Sequence, residues 1–319
     1  MDTMSSHSIL TAHGLTCSMA ELADAIGLNV PSLSDFANSH RAMLLMAPLI
    51  VFELLVFLVP FFILLRISLT EESTATVYAE GTWSLDAYRE VLTSGLLRNI
   101  IIFSFQLGAV VTVLVVLIGF FYAYAIWRTS GLVKSALLLS VVMPLLTTLV
   151  IRTYAFTPLL SPTGTINQLL LGLGVPGAPV QFVPATAGAI IGQVYIVLPY
   201  AVLAIYSVMA TMDWHVVEAA RDLGASRPRS VYEVVVPQVM PGIVVAAVIS
   251  FAWSIGAYAA PDLLSNNITF AIHAEDLLIG DMRFPLAAAF SVVMLVLMFA
   301  AVAGIVGILN RFGGDVARA

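Results

Sequence analysis

Six long apolar stretches dominate this chain, and five of them contain no Asp, Glu, Lys or Arg. They cover roughly residues 44–65, 100–127, 135–151, 184–212, 239–261 and 284–310. A helix needs about 20 apolar residues to cross the hydrocarbon core of a bilayer. A spanning helix also satisfies every backbone N–H and C=O internally, which an irregular segment in lipid cannot do. The pattern therefore predicts an all-α membrane protein with six transmembrane helices. The third stretch is short, and Arg152 just beyond it can snorkel toward the headgroups. Residues 153–183 are also uncharged, but Pro158, Pro162, Gly164, Gly172, Gly174, Pro176, Gly177 and Pro179 punctuate them. They read as a loop holding one short helix near 166–171.

Composition narrows the class further. Of the 319 residues 60% are hydrophobic and only 10% charged, with a mean hydropathy of +1.01. Soluble domains carry about 25% charged residues, so most of this surface is expected to face lipid. The formal net charge of −6 offers no basic face, so no nucleic-acid partner is expected. Cys17 is the only cysteine, which excludes an intrachain disulfide and a Cys-based metal cluster; it reads as inert. Lys134 is the only lysine and follows Val133, so the Gly-Lys pair of a phosphate-binding P-loop is missing. No catalytic residue, no metal site and no cofactor bound by this chain are expected. ATP hydrolysis, if it occurs, belongs to a partner.

Loop charges set the orientation. One side collects Arg41, Arg128, Lys134, Arg221, Arg227, Arg229, Arg311 and Arg318; the other holds Arg66, Arg89, Arg98, Arg152 and Arg283. Both termini are therefore expected to be cytoplasmic. Residues 1–43 precede the first span and carry no Lys or Arg before Arg41. They read as a cytoplasmic extension without a secretory signal, with a short amphipathic helix conceivable over 19–28. Residues 44–312 are expected to form the six-span transmembrane domain, and 313–319 a cytoplasmic tail.

The loop between the fourth and fifth spans is the most informative. It begins Asp213-Trp214-His215-Val216-Val217-Glu218-Ala219-Ala220-Arg221-Asp222-Leu223-Gly224-Ala225 and reads as helix, break, helix. Asp213 can cap the first helix, and Gly224 can end it in a left-handed conformation. Ala219, Ala220, Leu223 and Ala225 leave a low-relief apolar surface flanked by Glu218, Arg221 and Asp222. Small residues allow close approach, and flanking charges can pair with a partner.

With Pro237 and Pro241-Gly242-Ile243 downstream, this loop resembles the Glu-Ala-Ala motif of ATP-driven (ABC) importer permeases. The resemblance implies a type I importer permease fold whose cytoplasmic coupling helix fits a cleft in a separate ATPase. Carried over, Glu218 would pair with a basic group of the ATPase, and Gly224 would make the turn. The family usually has an aromatic where Val231 stands; Tyr232 follows one place later. The implied assembly joins this chain to a second homologous permease, two ATPase subunits carrying ATP and magnesium, an extracytoplasmic solute-binding protein and the lipid bilayer. Its place is a bacterial inner membrane.

Further segments resemble the spermidine/putrescine-type permeases. These are Val150-Ile151-Arg152-Thr153-Tyr154-Ala155-Phe156, Ser161 to Asn167, Ser254-Ile255-Gly256-Ala257-Tyr258 with Ala260 to Leu264, and Arg283 to Ala289. Where relatives often carry Gly-Gly after the leucines, this chain has Ser265-Asn266-Asn267. The resemblance implies a polyamine cargo such as putrescine or spermidine. Ferric iron, thiosulfate, an aminophosphonate or an opine are alternatives within the class. Independently, Asp262, Glu275, Asp276 and Asp281 against Arg283 make the last outer loop acidic, which suits a cation. Asp262 follows Pro261 at a span end, where broken helices build transport sites. Tyr258, Trp253, Tyr195 and Tyr154 are candidate pathway residues able to hold a cation over a ring. Tyr200 is a further aromatic candidate, and Glu53 is the one carboxylate inside a span, where function and pairing with an arginine are both open. A competing class, an ion-coupled secondary transporter or channel, would need ionisable residues along its path, and five of these spans hold none.

Overall fold

The computed structural model describes residues 40–313, except 74, 75, 77, 78 and 80. Expectations for residues 1–39, including Cys17 and the helix over 19–28, and for 314–319 lie outside the described residues. Two units are distinguished, 1–63 and 64–319, and each is described by itself.

The first unit contributes most of α1 (His40–Ser68), whose apolar part Met46–Ser68 contains an 18-residue window with a mean hydropathy of 2.7. Glu53 is exposed on it, and no ion pair among the described residues includes it.

The second unit follows with α2 (Asp86–Thr93), α3 (Gly95–Arg128), α4 (Gly131–Val142), a 3-10 turn Met143–Leu146, α5 (Leu149–Tyr154), α6 (Phe156–Leu160), α7 (Thr165–Gly172) and α8 (Thr186–Met209). Then come α9 (Trp214–Asp222), α10 (Arg227–Ser230), a π-turn Val231–Val235, α11 (Val236–Gln238) and α12 (Met240–Ile255). The chain closes with α13 (Ala259–Leu264), α14 (Phe270–Glu275), a second π-turn Asp276–Gly280 and α15 (Phe284–Gly313).

Among the described residues four helices, α1, α3, α8 and α15, are long and apolar enough to cross a membrane; two bent pairs bring the count to six if each is one span. The expected third span is thus not a single rod. Residues 131–146 and 149–172 meet at 111°. Pro144 in the 3-10 turn lacks the N–H of a regular helix, and Thr147 and Thr148 leave helical geometry. The fifth expected span, 239–261, is also shorter: α12 stops at Ile255, and Gly256 separates it from α13. Asp262 therefore sits on a separate short helix. The short helix expected near 166–171 is present as α7.

Three helices make the core of this unit. Val111, Val115, Ala123 and Ile126 of α3 pack against Val197, Ala201, Val202 and Ile205 of α8, with Ala246 of α12. The absence of polar side chains at these positions lets apolar surfaces mesh without orphaned groups. A second cluster forms where Leu286, Ala289 and Phe290 of α15 cover Ala87 and Val91 of α2. The spacing of Ala87 and Val91, one turn apart, gives α2 one buried face.

The segment between α6 and α8 is held by Asn167, whose side chain is wholly buried. Its Nδ2 donates to the carbonyls of Ser161 and Val180, both at 2.9 Å, and its Oδ1 accepts from the Val180 N–H at 2.8 Å. Asn167→Ala would strip partners from three backbone groups at once, at about 1–3 kcal/mol for each that stays dry. A thermal midpoint several degrees lower is expected for the purified variant, and an unchanged midpoint would refute this role.

Candidate functional site

The loop after α8 folds as its residues dictate. Asp213 Oδ1 accepts from the His215 N–H at 3.0 Å, closing the N-terminus of α9. At the other end Gly224 takes φ = +94°, a conformation side chains resist. The Ala225 N–H then bonds the Ala220 carbonyl at 3.1 Å, and the Gly224 N–H that of Arg221 at 2.9 Å. This paired pattern is the Schellman closure, which satisfies the last carbonyls of the helix. Both ends of α9 are thereby fixed by local bonds.

One face of α9 grips the bundle and the other is free. Val217 is 1% exposed within the main core, and Trp214 packs on Trp127 at the end of α3, ring centroids 5.1 Å apart. The Arg128 guanidinium lies 3.9 Å above the Trp214 ring. Across the helix, Leu223 is 90% exposed, and Glu218, Ala219, Arg221 and Asp222 are exposed beside it; Ala220 and Ala225 are half-buried. Glu218 is already engaged within its own helix. One carboxylate oxygen accepts from Trp214 Nε1 at 2.6 Å, and the other lies 3.2 Å from His215 Nδ1. Any basic partner would therefore share a carboxylate that this helix has oriented beforehand.

The expected pathway residues are only partly gathered. Trp253 and Tyr258 line one cavity of about 470 Å³, with Leu149, Gln193, Ile196 and Gly256. Tyr200 stacks on Trp253, centroids 5.3 Å apart. The break after α4 and the end of α12 together open this space, since both Leu149 and Gly256 flank a helix interruption. Tyr195 instead packs edge-on against Phe156 at 5.0 Å, and Tyr154 is exposed on α5; neither lines the cavity.

Asp262 does not line it either, yet it belongs to a charged group at its edge. Glu275 approaches the Tyr258 hydroxyl, and Asp262 and Asp276 lie close enough to add to the field. Tyr258 lies beyond α12, and its phenol is pushed up to about 12, chiefly by Glu275, because an anion there would face three carboxylates. Arg283 does not offset these acids as the sequence suggests. Its guanidinium clamps Glu90 at 2.7 and 2.8 Å and reaches Glu72 at 2.8 Å, which raises its affinity for its proton above the ordinary value. None of the ion pairs among the described residues involves Asp262, Glu275 or Asp276.

Two features escape the sequence reading. Gln193 is 1% exposed; its Oε1 accepts from Ser254 Oγ, while Nε2 is buried with no partner among the described residues. The signal was a lone amide in an otherwise apolar span. Trp214 as the anchor of α9 is the second, since its partner Trp127 is remote in sequence.

Apolar helices with one short capped helix standing between two spans define a membrane permease subunit. The chain matches the family described as the binding-protein-dependent transport system inner membrane component over residues 87–312, and it belongs to that family. It is a multi-pass inner-membrane permease subunit of an ABC importer, which carries out no bond chemistry itself. Among relatives, it is 29% identical over 230 residues to the spermidine/putrescine transport system permease protein PotB of Escherichia coli (strain K12), covering 69% of this chain and 81% of that one. The protein of the same name from Haemophilus influenzae is 28% identical over 260 residues, covering 78% and 88%. The fold is shared with a solved bacterial alginate ABC transporter in complex with an alginate pentasaccharide-bound periplasmic protein. The TM-score there is 0.68 at 17% identity, covering 86% of this chain and 96% of the other.

Proposed function

We propose that this subunit imports a polyamine-type cation, such as putrescine or spermidine, by alternating access. The observation that carries the cargo reading is the unpaired group of Asp262, Glu275 and Asp276 around Tyr258, at the edge of an aromatic cavity. Carboxylates concentrate cations at such a mouth, and the Trp253 and Tyr200 rings offer π faces to a desolvating ammonium. The names of the PotB relatives agree with this reading.

The drive comes from separate ATPase subunits, which hold the ATP and magnesium. They dock on Glu218, Ala219, Ala220, Arg221, Asp222, Leu223, Gly224 and Ala225. Because Trp214 fixes α9 to the end of α3, a displacement of the docked helix moves the end of a core span rather than a loose loop. A second homologous permease completes the pathway, and an extracytoplasmic binding protein delivers cargo opposite the docking side. Both termini then lie in the cytoplasm.

The test is ATP turnover by the reconstituted complex with its binding protein, titrated with putrescine and spermidine. Stimulation by a polyamine at micromolar levels is expected. Stimulation only by another solute would remove the polyamine reading while leaving the importer class.

A further inference from the structure

We infer that the bundle side of the docking helix holds a binding site for the phosphate group of an anionic phospholipid. Between α3, α9 and α10 lies a cavity of about 360 Å³. Arg128, Arg221 and Arg227 line it together with Trp214, Ser230 and Tyr124, and no carboxylate does. None of these three arginines enters an ion pair among the described residues; Arg229, which does not line the cavity, is the one that pairs, with Glu233 at 2.8 Å. Nearby Glu218 is occupied by Trp214 and His215. Glu218 and Asp222 border Arg221 and Arg227 only in the neighbouring cavity, so three arginines line this one with no carboxylate among its walls, and an anion with several acceptor oxygens suits such a basic recess.

The position argues for a lipid as the source of that phosphate. Arg128 is the last residue of α3, so the cavity opens at the end of a candidate membrane span. Phe121 lies two helical turns before Arg128 on the same face and is 67% exposed. Leu117 and Leu114, 53% and 36% exposed, continue that line. A headgroup seated on the arginines would lay its acyl chains along this stripe, which a soluble anion cannot use. Basic pockets between spans at the cytoplasmic surface are suited to anionic headgroups. The assignment to that surface rests on the orientation proposed above.

Arg128→Gln/Arg227→Gln is the test variant, since neither residue belongs to the proposed docking surface. Lipid retention by the purified permease–ATPase complex would be read by native mass spectrometry after exposure to phosphatidylglycerol or phosphatidylcholine. The wild type is expected to retain phosphatidylglycerol selectively, and the variant to lose roughly 5-fold of that preference per arginine removed. Equal retention by both proteins would overturn the site. Displacement of the lipid by millimolar inorganic phosphate would overturn the lipid source, and loss of the ATPase from the variant would assign the arginines to that partner instead. Because native mass spectrometry also resolves lipid on permease released from the complex, a wild type that holds no ATPase bears only on the docking role.

Discussion

Gly224→Asp is expected to leave the permease folded and inserted while abolishing transport. Gly224 sits at φ = +94°, where a left-handed residue with a side chain costs about 1–2 kcal/mol and Asp less than most. No atom lies within 4 Å of where its Cβ would project, so the chain itself has room for the substitution. What changes is the outer surface: a carboxylate would stand beside Leu223, which is 90% exposed, in the middle of the proposed ATPase contact. Membrane levels close to wild type with no solute uptake are the expected result. Gly224→Asn separates strain from charge, because Asn adopts the same conformation with comparable ease. It should retain more transport than Asp. Full uptake by the Asp variant would remove the docking role of this surface.

The second large effect is expected from Gly242→Leu, and here stability rather than coupling fails. Gly242, in the first turn of α12, packs against the last turns of α8, and a Cβ there would lie 2.9 Å from the Ala204 carbonyl oxygen and 3.0 Å from the Ile205 Cα. Both are backbone atoms of a core helix, so neither can swing aside as a flexible side chain would. Overpacking of this kind costs roughly 1–3 kcal/mol and more when backbone must move. Accumulation in the membrane should fall sharply, with a lower thermal midpoint for whatever protein is recovered. Normal levels and an unchanged midpoint would show that α8 and α12 are not held at this distance. The Pro241-Gly242-Ile243 pattern thus has a packing reason that can be tested apart from transport.

Much of this arrangement was legible in the sequence, for identifiable reasons. Asp213 and Gly224 act locally, within three residues of the bonds they make, so their cap roles needed no tertiary knowledge. The uncharged stretches report on lipid exposure, which depends on composition alone. Hydropathy carries no information on bending, however. The 111° turn after α4 and the early end of α12 leave an apolar run unchanged while altering its path, and both border the cavity at Trp253. Long-range pairing was equally hidden. Arg283 looks like the counter-charge of its own loop, yet it is drawn to Glu90, 193 positions earlier. That exchange is what leaves Asp262, Glu275 and Asp276 unpaired. The aromatic candidates divided for the same reason: Trp253 and Tyr258 share a cavity because two helix breaks meet there, whereas Tyr195 was claimed by Phe156.

The most direct measurement is a cross-link from position 223. With Cys17→Ser removing the single native thiol, Leu223→Cys would carry the only cysteine, on a side chain that is 90% exposed. A thiol-reactive photo-cross-linker attached there, in membranes containing the whole importer, is expected to capture the ATPase subunit, with a yield that changes when ATP is added. A complex that purifies intact and turns over ATP, yet never cross-links from this position, would contradict the claim that this loop is where the drive enters the permease.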